Sequence, residues 1–176
     1  MTQATLSPDT KLVEPVNALL NFRRALAASN SAAAAWAALH ALSDTLVGAR
    51  LFTVTTVDVD RGEARRLYTS DPVHYAVSGT KPVTIDDWYD LVVVRQQNFV
   101  ANTIEEIAVH FFDHELIGSL GLGSCINLPV VLGGKVVATV NVLDAAHHFT
   151  PERVARAEHL VLPALTCWLI ERQGKV

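Results

Sequence analysis

The clearest hydrophobic pattern in the chain lies between residues 123 and 143, where two runs of mainly aliphatic and β-branched residues flank Gly133-Gly134. Such residues favour strands, and a glycine pair supplies the positive φ angles of a two-residue primed turn. The pattern therefore predicts a β-hairpin. Alternate residues of a strand face opposite sides of a sheet, so its first strand should have two different faces. The aliphatic face consists of Ile126, Leu128, Val130 and Leu132. The mixed face consists of Cys125, Asn127, Pro129 and Val131.

Helical spacing predicts two helices before the first strand. The first runs over residues 11–28, with Pro15 in its first turn. The second follows a cap at Asn30 or Ser31 and ends at Gly48. Residues 1–10 show no periodicity, so we expect a disordered tail ahead of a single domain over 11–176.

A last helix is predicted from the cap Thr150 and from Pro151, a residue that suits the first helical position. Its apolar residues recur at helical spacing as far as Leu169. Pro163 lies inside this pattern, where a missing N–H should kink the helix.

The middle of the chain reads as a second hairpin followed by irregular structure. Strands at 51–58 and 63–70 flank a turn at 60–62, and Arg65 and Arg66 indicate an exposed second strand. Residues 71–87 are an unusually long connection, which favours a functional role. A short helix should follow Asp86 or Asp87, then a strand at 98–101, an irregular or helical turn at 104–110 and a capped helix at 113–121.

Composition narrows the class of protein. The 176 residues carry a formal net charge of −4, and no stripe of Lys and Arg is present. We therefore expect no nucleic-acid partner and no membrane partner. The N-terminus lacks the basic-then-apolar pattern of a signal peptide, so we also expect a cytoplasmic location. The two cysteines, Cys125 and Cys167, lie in apolar surroundings without metal-ligand spacing, which favours structural thiols.

The order of predicted elements resembles that of GAF domains, a family of small-molecule sensor modules. The similarity is most specific in Gly123–Val130, in Gly133–Val142 and in the helix start Phe149-Thr150-Pro151-Glu152. Ala138 departs from the glycine that many GAF domains have there. The resemblance implies an α+β fold: an antiparallel sheet with the N- and C-terminal helices on one face and a ligand pocket on the other.

The same resemblance suggests which residues contact a ligand. The mixed face of the central hairpin would contribute three residues, and the irregular segment would contribute aromatic residues with polar tips. Two alternatives stay open: the Asn side chains could bond only to loop backbone, and the aromatic pair at 88–89 could simply fill the core. The predicted ligand-binding residues are Tyr75, Trp88, Tyr89, Cys125, Asn127 and Asn141.

Catalysis is not expected. The free methionine sulfoxide reductases are similar GAF domains, but their cysteine positions fall near Ala76 or Val77 and near Gly118. Their acidic substrate ligands fall at Cys125 and Asn141. His110 and His114 have a spacing that can bind a metal on a helix, but a third ligand is missing. We therefore predict no catalytic residue and no metal site, and the sequence names no cofactor.

The sequence favours a sensory or regulatory GAF module that binds a small, neutral or mildly polar molecule. It would act through a partner protein, because the chain contains no recognisable output domain, and it would form a homodimer through its terminal helices. Two alternatives are a thiol-dependent, reductase-like enzyme using Cys125 and a structural dimerisation module with a vestigial pocket.

Overall fold

The computed structural model describes the backbone of residues 8–77 and 80–174, and the side chains of 14–77 and 80–174. The helices are α1 (Pro8–Ala28), α2 (Ala32–Leu46), α3 (Asp87–Tyr89), α4 (Ile104–Ala108), α5 (His114–Ser119), α6 (Pro151–Ala157) and α7 (Val161–Gln173). A π-helical turn, Asp90–Val94, continues α3, and a 3-10 turn, Glu158–Leu160, joins α6 to α7. The strands are β1 (Leu51–Asp58), β2 (Glu63–Thr69), β3 (Lys81–Pro82), β4 (Phe99–Ala101), β5 (Ser124–Leu132) and β6 (Lys135–Asp144).

The strands form one six-stranded antiparallel sheet in the order β3-β2-β1-β6-β5-β4. Its centre is the hairpin predicted from the glycine pair, and Gly133 and Gly134 have φ angles of 60° and 78°. The second predicted hairpin, β1–β2, is confirmed as well. Strand β3 lies inside the stretch predicted to be irregular, where two residues pair with Glu63 and Ala64 at the sheet edge. So short a strand leaves almost no pattern in the sequence.

Each face of the sheet has its own core. On one face, the terminal helices cover a cluster that contains Ile126, Leu128 and Val130 from β5, as the alternation predicts. On the other face, Cys125 belongs to a second cluster built from the segment between residues 75 and 122. Leu132, predicted to face the helices, is instead 42% exposed because it lies at the turn end of the hairpin. The predicted α+β arrangement is therefore confirmed.

Helix α2 is the central element of the helical layer. Its N-terminus is capped by Ser31, whose hydroxyl accepts a hydrogen bond from the Ala34 N–H at 3.2 Å. Trp36 is 1% exposed, and its Nε1 donates to Glu171 Oε2 of α7 at 3.0 Å. Beyond its C-terminus, His148 Nε2 bonds the Val47 carbonyl at 2.6 Å. Polar contacts thus fix both ends of the helix against the rest of the layer.

The first helix begins earlier than predicted. Residues 1–7 of the predicted tail lie outside the described residues, whereas 8–10 form the first turn of α1. Pro15 consequently lies inside the helix and not in its first turn. Among the helices of the described ranges, none has the length and apolar content that a membrane span requires.

The last helix, predicted to be kinked at Pro163, is interrupted by a 3-10 turn that separates α6 from α7. Pro163 follows this turn and cannot donate to the carbonyl of residue 159, so regular α-helical bonding is interrupted there. Upstream, Thr150 caps α6 by accepting from the Arg153 N–H at 3.4 Å, with Pro151 in the first turn.

His40 makes the stability of the helical layer depend on pH. Its ring stacks on Phe52 at 5.2 Å, and burial lowers its pKa, although the Asp44 carboxylate opposes the shift. As pH falls, the unfolded chain therefore binds a proton at this position before the folded chain does. Neutral His40 contributes fully to the free energy of unfolding above about pH 6.5, and this contribution is lost as the pH falls toward the lower pKa of the folded state.

We expect the His40→Gln variant to lose less stability than the wild type between pH 7.5 and 5.5, as measured by denaturant unfolding. His159→Gln is the matched control, because His159 is exposed. Equal pH dependence in the wild type and His40→Gln would contradict the prediction.

Candidate ligand pocket

A cavity of about 290 Å³ lies over the sheet face opposite the terminal helices. Strands β1, β5 and β6 form its floor, and residues 81–88 and 110–117 form its walls. Its volume is at the lower end of the range for small-molecule sites, about 300–1,000 Å³. Its apolar and aromatic lining includes Leu51, Val57, Tyr75, Trp88, Phe111, Ile117 and Leu143, and its polar lining includes Thr53, Thr55, Arg66, Lys81, Asp86, Asp113, Asn127, Thr139 and Asn141.

Two asparagines organise the floor. Asn127 and Asn141 are register partners on β5 and β6, and Asn127 Nδ2 donates to Asn141 Oδ1 at 3.0 Å. Asn141 Nδ2 lies 3.2 Å from Thr53 Oγ1 and 3.4 Å from Thr55 Oγ1. Asn127 Oδ1 accepts from Trp88 Nε1 at 2.8 Å. The amides therefore bond mainly to other side chains of the pocket and not to loop backbone.

Trp88 reaches this floor because α3 is capped immediately before it. Asp86 Oδ1 accepts a hydrogen bond from the Tyr89 N–H at 2.8 Å, which starts the helix at Asp87. The Trp88 ring packs edge-on against Phe111 at 6.4 Å. Tyr89, by contrast, is half-buried and is not among the residues that line the cavity. Of the predicted aromatic pair, only Trp88 therefore belongs to the pocket wall.

Tyr75 lies in the wall and is 7% exposed. Its hydroxyl is buried and lies next to the Asp113 carboxylate. Burial raises the pKa of Tyr75 to about 12, and the nearby Asp113 carboxylate adds to the shift. The hydroxyl is therefore protonated at neutral pH and can donate a hydrogen bond.

Arg66 is a pocket residue that the sequence pattern did not identify. Its guanidinium carbon lies 5.2 Å from the centre of the Tyr75 ring, and its Nη1 donates to the Ala76 carbonyl at 3.0 Å. Its buried Nε has no partner among the described residues. The sequence showed Arg65 and Arg66 only as charges on an exposed strand. Strand alternation directs Arg66 into the cavity and Arg65 toward Glu171 on the helical side.

The remaining charges of the lining are balanced. Arg66 and Lys81 are cationic, and Asp86 and Asp113 are anionic. Lys81 Nζ lies 5.7 Å from the centre of the Phe112 ring, a side chain that is 87% exposed. The balance means that the cavity as a whole presents no strong field of one sign, so local contacts decide which charge a ligand carries.

Cys125 lines the cavity but is poorly suited to nucleophilic chemistry. The residue is 2% exposed, and burial raises the pKa of its thiol to about 12. The thiolate is the reactive form of cysteine, so the thiol is inert at neutral pH. The geometry therefore gives no support to the thiol-dependent enzyme considered from the sequence.

The described residues contain no group of three or more His, Cys, Asp or Glu side chains placed to hold a metal ion. The pair His110 and His114 is separated, because α4 ends before the first and α5 begins at the second. His110 packs edge-on against Phe99 at 5.1 Å, and His114 Nδ1 lies 3.0 Å from the Phe111 carbonyl oxygen.

Five of the six predicted ligand-binding residues lie around the cavity. Cys125, Asn127 and Asn141 are on its floor, and Tyr75 and Trp88 are in its wall. Their location is thus established by the structure, while their role in binding stays a prediction. Alternation along β5 identified Cys125 and Asn127, and Asn141 was assigned to the partner strand. The irregular segment has no such periodicity to indicate which of its side chains point inward.

Solved structures of other proteins share this architecture. One is the GAF domain/HD domain protein from Geobacter sulfurreducens, with a TM-score of 0.64, 13% identity and coverage of 80% of this chain and 94% of that one. Another is the GAF domain of a phosphoenolpyruvate-protein phosphotransferase from Coxiella burnetii, with a TM-score of 0.66, 15% identity and coverage of 92% and 97%. A third is the GAF domain of a two-component sensor histidine kinase from Bacillus halodurans, with a TM-score of 0.61, 12% identity and coverage of 80% and 93%. At these identities the likeness concerns the fold alone.

The sequence itself gives the family. A comparison with curated protein sequences finds no match. The family model for the GAF domain matches residues 10–162, which include the whole sheet, the walls of the cavity and most of the helical layer. The chain therefore belongs to the GAF domain family.

Proposed function

We propose that the chain is a sensory or regulatory module that binds a small molecule in the cavity over the sheet. The observation that carries this proposal is the cavity itself, because its space of about 290 Å³ is left open by the surrounding side chains. A fold whose pocket had become vestigial would fill such a space, since protein interiors pack closely. The mixture of apolar walls with a few ordered polar groups is typical of ligand sites.

The sheet supplies a short route from the cavity to the helices. Asn127 lies on the cavity floor, while its neighbours Ile126 and Leu128 pack in the core beneath the helical layer. A ligand that moves β5 therefore shifts residues that the helices contact. A ligand can shift the equilibrium between two arrangements of β5 and the helices only if it binds one arrangement more tightly than the other.

We further propose that the response is passed to a partner protein. The solved GAF domains of a sensor histidine kinase and of a phosphotransferase support a regulatory role of this kind. A homodimer through the terminal helices stays a prediction. The apolar side of α2 is buried within the chain, so the exposed apolar residues that could serve it lie on α1 and α7, and they include Val16, Leu20, Leu162 and Leu169.

A substitution that fills the cavity tests the proposal. Ala64 is a half-buried lining residue near the sheet edge, and Ala64→Trp should place a large ring in the space a ligand would use. We expect a fraction of small molecules from cell extract to raise the melting temperature of the wild type and to lose this effect on Ala64→Trp. The matched control is Ala37→Trp, because Ala37 is exposed on α2, across the sheet from the cavity.

Native mass spectrometry of each protein mixed with the active fraction identifies the bound mass. The proposal fails if no fraction stabilises the wild type, or if Ala64→Trp responds as strongly as Ala37→Trp does.

A further inference from the structure

We propose that the pocket recognises small neutral carbonyl compounds with an apolar body, and that the hydroxyls of Thr55 and Thr139 donate hydrogen bonds to the carbonyl oxygen. The inference rests on the proposed function, since it names the class of ligand for the same cavity. It makes the neutral or mildly polar ligand expected from the sequence more specific. Three features of the cavity support it: a buried hydroxyl without a partner, a floor with free hydroxyl protons, and charges that are confined to the walls.

The first feature is the hydroxyl of Thr139, in the middle of strand β6. The residue is 2% exposed and lines the cavity. The described residues provide no hydrogen-bond partner for its Oγ1, and this oxygen, unlike that of Tyr75, is not fully enclosed by protein. What remains of its surface therefore faces the open space of the cavity. A buried polar group without a partner is unfavourable, so this hydroxyl requires a partner from outside the chain.

A second hydroxyl lies beside the first. Thr55 and Thr139 are register partners on the antiparallel strands β1 and β6, and both line the cavity. The Cβ atoms of such partners are about 4.5–5.5 Å apart, so their hydroxyls can reach one oxygen atom between them. Thr55 Oγ1 accepts a hydrogen bond from Asn141 Nδ2 at 3.4 Å, which leaves its own proton free to donate. A carbonyl oxygen has two lone pairs and can accept from both hydroxyls.

The other hydrogen bonds of the floor also leave a proton free. Asn141 Oδ1 accepts from Asn127 Nδ2 at 3.0 Å, and Asn127 Oδ1 accepts from Trp88 Nε1 at 2.8 Å. Thr53 Oγ1 accepts from Asn141 Nδ2 at 3.2 Å, so its proton is not used in this network. The oxygens of the network thus each accept a bond already, whereas threonine hydroxyl protons remain. Such a floor favours a ligand that brings an acceptor.

The charged side chains of the lining come from the walls, and the floor strands contribute none. Arg66 Nε is fully enclosed, and the guanidinium lies over the Tyr75 ring. Asp113 lies next to the Tyr75 hydroxyl, and Asp86 accepts from the Tyr89 N–H. A charged ligand group on the floor would therefore lose its water without gaining an opposite charge. This arrangement favours a neutral carbonyl over a carboxylate or an ammonium group.

The rest of the lining indicates an apolar body for the ligand. Leu51, Val57, Ile117 and the rings of Trp88 and Phe111 provide apolar contact around the space. A cavity of about 290 Å³ suits a compact cyclic compound. The carbonyl would then contact the floor while the ring system packs against the walls.

Four probes with the same fused-ring body test the inference in the full chain. α-Tetralone carries the carbonyl, tetralin lacks it, and 1-aminotetralin and tetralin-1-carboxylate carry a charge at the same position. Dissociation constants are measured by ligand-observed NMR, and the ratio for tetralin over α-tetralone defines the carbonyl preference. We expect a preference of about fivefold or more in the wild type, because tetralin leaves the hydroxyls of the floor without a partner. Both charged analogues should bind more weakly than α-tetralone.

Variants of Thr139 assign the effect. Thr139→Val replaces the hydroxyl by a methyl group of similar size and should lower the carbonyl preference to about twofold or less. Thr139→Ser keeps the hydroxyl and should retain the preference. Thr56→Val is the matched control, because Thr56 lies on the opposite face of the sheet, where its Oγ1 donates to the Val137 carbonyl at 2.9 Å. It should retain the preference as well.

The melting temperature of the free protein distinguishes ligand binding from a structural role. Thr139→Val should leave it unchanged or raise it, since the lost hydroxyl has no partner among the described residues. A clear decrease in melting temperature together with an unchanged carbonyl preference would show that the hydroxyl serves the fold, and would overturn the inference.

The possible outcomes separate this inference from the proposed function. Equal binding of α-tetralone and tetralin, or a retained preference in Thr139→Val, overturns the inference while the pocket stays a ligand site. Tighter binding of either charged analogue than of α-tetralone also overturns it. If none of the probes binds, the inference fails, and the Ala64→Trp comparison decides whether the cavity binds another class of molecule.

Discussion

Replacing Trp36 by alanine should lower the free energy of unfolding by about 3–5 kcal/mol, the range for deleting a large buried aromatic side chain. Trp36 is 1% exposed in the core between the helices and the sheet. The substitution also removes the hydrogen bond from its Nε1 to Glu171 on α7. Denaturant unfolding followed by far-ultraviolet circular dichroism measures the loss, because the signal does not depend on tryptophan fluorescence.

Trp36→Phe separates packing from the hydrogen bond. It keeps most of the apolar volume and removes only the N–H, so we expect a clearly smaller loss than for alanine. A loss for Trp36→Ala below about 1 kcal/mol would mean that α2 repacks freely, contrary to the close packing of this layer.

Replacing Asn127 by leucine should cost about 2–4 kcal/mol, because it leaves two partly or fully buried groups without partners. Trp88 Nε1 would lose its acceptor, and Asn141 Oδ1 would lose its donor. Leucine has a similar size, so the cost reflects lost hydrogen bonds more than lost packing. We also expect weaker ligand binding, since the hydrogen bond from Trp88 to Asn127 fixes one wall of the cavity to its floor. Denaturant unfolding and the binding experiments described above measure the two effects.

A double-mutant cycle tests whether the two amides act together. Asn141→Leu should also destabilise the protein, but the double variant should lose less than the sum of the single losses, because both members of one pair are then apolar. Strictly additive losses would contradict the side-chain network and would imply that each amide is satisfied independently.

Much of the architecture could be predicted from the sequence, since the decisive signals are local. The turn of the central hairpin depends only on the glycine pair at 133–134 that forms it. Ser31 and Thr150 cap helices with hydrogen bonds inside the first turn. Alternation along β5 then assigned Ile126 and Asn127 to opposite faces of the sheet. These features depend on neighbouring residues, so the surrounding fold changes them little.

The remainder of the pocket depends on contacts between distant parts of the chain. The hydrogen bond between Trp88 and Asn127 joins residues from a short helix and a central strand, and no spacing in the sequence predicts it. The pairing of β3 with Glu63 and Ala64 is equally remote from any local pattern. The sequence indicates Arg66 only as a surface charge, because it does not show that Tyr75 and Ala76 lie against this side chain. Tyr89 illustrates the converse, since adjacency to Trp88 does not place it in the cavity.

The separation of the two cores has an evolutionary consequence. Along β5, positions 125 and 127 face the cavity, whereas 126, 128 and 130 pack in the core beneath the helices. A substitution on one face of this strand therefore disturbs one core and leaves the packing of the other largely in place, so the sequences of the two faces can change separately.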